Sequence, residues 1–298
     1  MPEIKIVEVG PRDGLQNEKT PVPTANKLAF VRDLRDAGLE DIEVSSFVSP
    51  KWVPQLGDIA ELWPELPEGG RYSALVPNEK GLERAIELGV DRIALFTAAS
   101  DAFTQKNVNM TVAETLDAFA RVIAGHRAQF PNGHIRGYVS TIFECPVGGP
   151  VSEAKVADVS GQLVELGVDE ISLGDTTGVG SPRDTKRVLA AVLSEVPVSK
   201  VAVHFHDTRG TALANVAAAL EMGVTIVDAA AGGLGGCPYA PGAGGNLATD
   251  DLVYFLEREG VATGVDPDRL AQASERIFEV LGRRSISHAQ IARVAMRS

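Results

Sequence analysis

The sequence predicts an α/β protein: a (β/α)8 TIM barrel with additional C-terminal helices. Three observations predict it. Eight short segments rich in Ile and Val alternate with helical patterns along the chain, as strands buried on both faces should. The phrases AGLEDIEV, LGVDRIAL, LGVDEISL and MGVTIVDA repeat one junction: a helix end, a glycine, a short turn and a strand. Such a recurrence marks βα units in a parallel sheet. The first strand runs into GPRDGLQNE and not into the GxGxxG turn typical of open, doubly wound sheets, so eight strands favour closure.

In chain order the strands are expected at 4–8, 41–45, 72–76, 92–96, 135–140, 170–174, 201–206 and 225–229. Between them, segments 24–37, 81–88, 112–129, 153–166, 182–196, 213–222 and 249–259 carry apolar residues at spacings of three and four, the period of one helix face. Gly38, Gly89, Gly167, Gly223 and Gly260 close helical patterns, where glycine accepts the left-handed conformation that stops a helix. Segment 266–298 reads as helical and is expected outside the barrel. No linker separates a second domain. Residues 1–298 are therefore expected to form a single catalytic domain, with the barrel over about 1–260 and a helical extension over about 266–298.

The 298 residues accommodate a barrel of roughly 250 residues with extras. A net charge of −12 argues against a nucleic-acid partner, whose phosphates need a basic face, yet a small anionic ligand needs only a local patch. No apolar run reaches the roughly 18 residues that span a membrane. The start, MPEIKIVEVG, lacks the features of a signal or transit peptide, so none is expected. With two cysteines, Cys145 and Cys237, the expectation is a reducing, cytoplasmic setting.

Active sites of such barrels lie at the C-terminal ends of the strands. There the sequence places Arg12 and Asp13 after strand one, and Glu43, Ser45 and Ser46 on or after strand two. Asp175 and Thr176 follow strand six, His204 and His206 end strand seven, and a glycine-rich loop over 232–246 follows strand eight. His204 and His206 are two apart on a strand, so both rings point to one face. A lone histidine is more often a hydrogen-bonded core residue, but a pair at this spacing can share a metal ion. Asp13 and Asn246 would add oxygen ligands, and two nitrogens with several oxygens suit Mg2+ or Mn2+ and tolerate Zn2+ or Co2+. The same inventory suits a two-histidine, one-carboxylate iron site. Arg12 and Asp13 read either as a surface turn or as an anion-holding guanidinium beside a ligand. Glu43 lies between Ile42 and Val44, where a carboxylate is costly unless paired, and Arg12 is the partner at hand. The glycine-rich loop reads as a connection or as a lid that brings Cys237 over a substrate. Asp207 reads equally as a helix cap, and Cys145 as structural or incidental.

GPRDGLQNE, IEVSSFVSPKWVPQLGD, FTQKNVN, ISLGDTTGVGSP, AVHFHDTRGTALAN and GLGGCPYAPGAGGNLATDDLVY together resemble the 3-hydroxy-3-methylglutaryl-CoA lyase family over nearly the whole chain. The resemblance implies that Asp13, His204, His206 and Asn246 bind the metal. It implies that Arg12 stabilises the acetyl-CoA enolate, that Glu43 supports Arg12, and that Cys237 takes part in proton transfer. Gln16, Ser46, Ser172, Asp175 and Thr176 fall at positions similar to the substrate pocket, and Asn17 and Lys19 near where the family receives coenzyme A. A homodimer and a place in leucine degradation are implied likewise. The chain departs from the family where Glu144 and Val147 flank Cys145-Pro146, at Arg209 in place of a tyrosine, and in the alanines of Asp228-Ala229-Ala230-Ala231. These changes bear on the acyl group more than on the reaction.

The implied reaction is metal-assisted cleavage of a 3-hydroxy-3-alkyl acyl-CoA, with His204, Asp13 or a water as base. Three rivals stand beside it: a condensing enzyme of the same superfamily, an iron oxygenase, and an idle barrel used for binding. Condensing enzymes usually carry a long regulatory region at the C-terminus, and an idle barrel should have lost part of the polar set that is complete here.

Overall fold

The computed structural model describes residues 3–236 and 244–296. Eight strands, β1 (Lys5–Glu8), β2 (Asp41–Ser46), β3 (Arg71–Leu75), β4 (Arg92–Ala98), β5 (His134–Ser140), β6 (Glu170–Asp175), β7 (Val201–Phe205) and β8 (Ile226–Ala229), hydrogen-bond in sequence order and return to β1 as a closed barrel. Helices α1 (Thr24–Asp36), α2 (Ile59–Leu62), α3 (Glu79–Glu87), α4 (Asp101–Val108), α5 (Val112–Gln129), α6 (Glu153–Glu165), α7 (Pro182–Val192) and α8 (Ala212–Glu221) connect the strands, and α9 (Thr249–Arg258), α10 (Pro267–Leu281) and α11 (His288–Ala295) follow the last. Strand and helix positions agree with the sequence reading to within a few residues. The sequence reading passed over the short α2, α4 and a small hairpin pairing Glu144–Cys145 with Gly149–Pro150.

By its contacts the chain divides into two units, Met1–Ala74 with Ile226–Ser298, and Leu75–Thr225. In the first, β1 pairs in parallel with β8 (Glu8↔Ala229) and with β2 (Val7↔Asp41). α1 packs on α10, and α9 on α11. The inward face of α1, Phe30, Val31 and Leu34, is at most 2% exposed, and each such side chain contributes roughly 1.5–3 kcal/mol relative to exposure. The extension is bound in through Asp251 on α9. Its carboxylate accepts the Ser287 hydroxyl (2.7 Å) and the amides of Ala289 (2.7 Å) and His288 (3.3 Å) at the start of α11.

In the second unit, β4, β5, β6 and β7 pair in parallel, with Ile93 beside Ile135, Gly137 beside Ile171 and Gly174 beside His204. Polar side chains begin the helices. Thr111 and Glu114 form a reciprocal cap on α5, as do Ser181 and Asp184 on α7, each satisfying amides that a helix start leaves open. Helix ends use the expected glycines: Gly167, after α6, sits at φ +99°, a conformation that side chains resist. A buried ion pair joins Arg136 on β5 to Glu170 on β6 at 2.9 Å.

His126 on α5 is fully buried, its ring 5.4 Å from that of Phe130. Burial first, then the neighbouring Arg127, lowers its pKa. A base with a lowered folded pKa contributes stability that is complete above the unfolded value near 6.5 and is lost as pH falls through the folded one. We expect His126→Leu to flatten the loss of melting temperature between about pH 7 and pH 5. An acid limb as steep as that of the parent would assign the effect to other groups.

No helix among the described residues is long and apolar enough to cross a membrane.

Candidate active site

β1 ends in a wide turn, Gly10–Gly14, in which the amides of Asp13 (2.8 Å) and Gly14 (3.1 Å) both reach the Val9 carbonyl. Such π-type turns recur at functional sites because they swing consecutive side chains out of the regular path. The turn presents Arg12 and Asp13. Arg12 is 5% exposed and its Nε donates to Glu43 on β2, which is fully buried. Its Nη1 donates to Asp13 Oδ1 at 2.7 Å. The pairing expected for Glu43 is present, and it holds the guanidinium plane between two carboxylates.

Asp13 is held from its other oxygen as well. Asn246 Nδ2 donates to Asp13 Oδ2 (2.9 Å) and to the Leu234 carbonyl (3.2 Å). Asn246 Oδ1 is buried and accepts no hydrogen bond among the described residues, so this oxygen is available to a cation. Gln16 is half-buried, while Asn17 and Lys19 are exposed. Glu18 between them pairs with Arg283. Ser46 is buried, and its hydroxyl accepts the Val48 amide at 3.0 Å. The glycine-rich segment is anchored by isolated bridges between Ala230 and Ala248 and between Gly236 and Gly244. Cys237 lies outside the described residues.

In the second unit β7 delivers His204, and His206 follows it; both are buried, with ring centres 5.5 Å apart. Tyr138 on β5 meets the His204 ring edge-on at 5.9 Å. The sequence reading missed Tyr138. Its only signal was an aromatic with a polar end inside a buried strand, and a partner on another strand is invisible without the register. Ser172 on β6 is buried beside Tyr138 in the ladder. The Asp175 carboxylate accepts the amides of Val179 (3.2 Å) and Gly180 (2.9 Å), and its pKa is raised by burial. Thr176 Oγ1 accepts the Thr141 amide at 3.1 Å. Asp207 accepts the Ala212 amide at the start of α8 (2.9 Å), as a cap does. Arg209 donates to the Thr177 carbonyl at 2.7 Å. Cys145 is buried, its sulfur accepting the Gly148 amide at 3.1 Å, in line with the structural role read for it.

His204 and His206 offer imidazole nitrogens in the second unit, and Asp13 and Asn246 offer oxygens in the first. Two imidazole nitrogens, a carboxylate oxygen and the orphaned Asn246 oxygen are a donor set that fits a divalent cation with mixed nitrogen and oxygen preference.

Residues 3–277 match the family model described as HMGL-like. The chain is 50% identical to mitochondrial hydroxymethylglutaryl-CoA lyase of Bos taurus over 96% of its own length and 88% of the relative's. It is 48% identical, over 98% of both chains, to the 3-hydroxy-3-isohexenylglutaryl-CoA/hydroxy-methylglutaryl-CoA lyase of Pseudomonas aeruginosa. Among solved structures, an HMG-CoA lyase of Acinetobacter baumannii in complex with coenzyme A and 3-methylmalate superposes with a TM-score of 0.91 at 39% identity, covering 97% of this chain and 95% of that one.

Proposed function

The chain belongs to the HMGL-like family, and from that premise we propose that it cleaves 3-hydroxy-3-methylglutaryl-CoA to acetyl-CoA and acetoacetate. It is a carbon–carbon lyase. The observation that carries this reading is Arg12 clamped between Glu43 and Asp13: a fixed cation beside a candidate metal ligand is what an enolate-forming cleavage requires.

Asp13, His204, His206 and Asn246 would hold a divalent cation, Mg2+ or Mn2+, which supplies Lewis acidity toward the substrate's tertiary hydroxyl. A base, His204 or Asp13 among the candidates, removes the hydroxyl proton. The electron pair of that O–H bond forms the new C3 carbonyl. The C2–C3 bond breaks, and its pair becomes the enolate of acetyl-CoA. Arg12 donates hydrogen bonds to the enolate oxygen. Cys237 delivers a proton to C2, completing acetyl-CoA. Gln16, Ser46, Ser172, Asp175 and Thr176 line the acyl pocket, and Asn17 and Lys19 receive the coenzyme A arm. Asp175 and Thr176 do so through the shape of their turns, since both side chains are engaged with backbone. We place the enzyme in the cytoplasm, as a homodimer of single-domain subunits, in leucine degradation.

The relative that also acts on the isohexenyl substrate supports a second acyl group for this fold. Incubating the Mg2+-loaded protein with 3-hydroxy-3-methylglutaryl-CoA, and with longer 3-alkyl analogues in parallel, tests both. EDTA-sensitive release of acetoacetate and acetyl-CoA is the expected result. Inertness toward the methyl substrate with cleavage of a longer one would move the assignment to that acyl chain. Turnover that requires O2 would overturn the lyase reading.

A further inference from the structure

Glu8, the last residue of β1, has no part in the reaction above, yet its carboxylate is fully buried. Oε1 accepts the amides of Gly10 (2.8 Å) and Ala231 (3.0 Å), and Oε2 accepts the Thr249 hydroxyl (2.6 Å). Three separate segments meet there: the turn that presents Arg12 and Asp13, the root of the glycine-rich segment, and the start of α9. Next to Thr249, the Asp250 carboxylate accepts the Gly232 amide (2.7 Å) and the Ser274 hydroxyl (3.1 Å). The consecutive amides of Ala231 and Gly232 are thus each gripped by a buried carboxylate from a different element.

Neither carboxylate is paired with a Lys, Arg or His among the described residues. Burial pushes Glu8 up to about 7 and Asp250 up to about 6, and the charge of Asp250 adds to the effect on Glu8. Uncompensated burial of this kind works against stability. Raised acid pKa values mean that this part of the stability is complete below the unfolded value near 4.5 and is lost as pH rises through about 7. The sequence has also adapted to the carboxylate's position. A Cβ on Gly10 would lie 2.5 Å from Glu8 Oε1, so a larger residue there would push the carboxylate away from the two amides it accepts.

We propose that Glu8 and Asp250 are positioning residues for Arg12 and Asp13: Glu8 ties the Ala231 amide to the turn that carries the catalytic pair, and Asp250 fixes the adjacent Gly232 amide to α9 and α10. The proposal rests on the lyase reading for what the turn does, and on the hydrogen bonds alone for how it is held. The bonds need the shape of a carboxyl or carboxamide group more than its charge. In Glu8→Gln, Oε1 can still accept both amides, and Nε2 can donate to a reoriented Thr249 hydroxyl.

The test uses full-length, Mn2+-loaded Glu8→Ala, Glu8→Gln and Asp250→Ala. We expect Glu8→Ala to lose ~10–100-fold in kcat with KM within about twofold, as misplacement of reacting groups does. Glu8→Gln should recover kcat to within about threefold and melt above the wild type at pH 8, having removed a costly buried charge. Hydrogen exchange should accelerate at Gly10 and Ala231 in Glu8→Ala but not in Glu8→Gln, and at Gly232 in Asp250→Ala. Wild-type kcat in folded Glu8→Ala, or a folded Glu8→Gln as impaired as the alanine variant, would overturn the proposal. If Glu8→Ala does not fold, the glutamine variant and the exchange at Gly232 still decide it. A wild type that cleaves no substrate would sink the lyase reading, while the exchange pattern would still report on the lock.

Discussion

Arg12→Met is expected to lower kcat by ~10²–10³, the usual loss when one donor to a developing oxyanion is removed, while the protein still binds its metal. Glu43 and Asp13 fix the guanidinium from two directions, so the positive charge is in place before the enolate forms and needs no reorganisation during the reaction. Arg12→Lys should be nearly as impaired, because an ammonium group cannot reproduce the planar fork that reaches both carboxylates. The substitution has a second effect. Glu43 is fully buried, and the loss of Arg12 removes a cationic hydrogen bond that offsets the cost of burying its charge, which should lower stability as well as turnover. Arg12→Met combined with Glu43→Gln removes that charge. It should regain stability without regaining turnover, which separates the two consequences in one experiment. A single variant with near-parental kcat would sink the role of Arg12.

His206→Ala is expected to weaken metal binding by at least about 100-fold, since loss of a mere outer-shell partner typically costs 10–100-fold. Metal content after dialysis, or titration with Mn2+ followed by EPR, measures it directly. The rings of His204 and His206 stand 5.5 Å apart, close enough for one ion to take a nitrogen from each. Histidine must be neutral to ligate, so affinity in the parent should also fall as the solution is acidified. Unchanged metal content in His206→Ala would exclude this histidine from the site.

Much of this was legible in the chain. The strands announced themselves because a strand covered on both faces must be continuously apolar, and the glycine after each helix named the junctions. The His204–His206 pair was legible from a spacing of two, even though His206 lies just past the end of β7. The pairing of Glu43 with Arg12 followed from the cost of a lone carboxylate in an apolar strand. α4 was not legible: its segment, DAFTQKNV, mixes polar and apolar residues without one clear face, and it is started by the Ser100 cap. Tyr138 and Glu8 could not be assigned either. Their surroundings come from other strands and from the segment after β8, so their significance exists only once register and closure are known.

Asp251 has a consequence for how the molecule assembles. The hydroxyl it accepts belongs to Ser287, 36 residues later, and Ser287 is itself the cap of α11. A helix of eight residues is too short to persist alone in water. Its first turn is therefore completed only when α9 has docked and the intervening chain has closed, a loop whose entropy cost grows only slowly with length. α9 and α11 should behave as one cooperative unit, opening and closing together, so that slow amide exchange at Ala289 becomes a reporter of whether α9 is seated against the barrel.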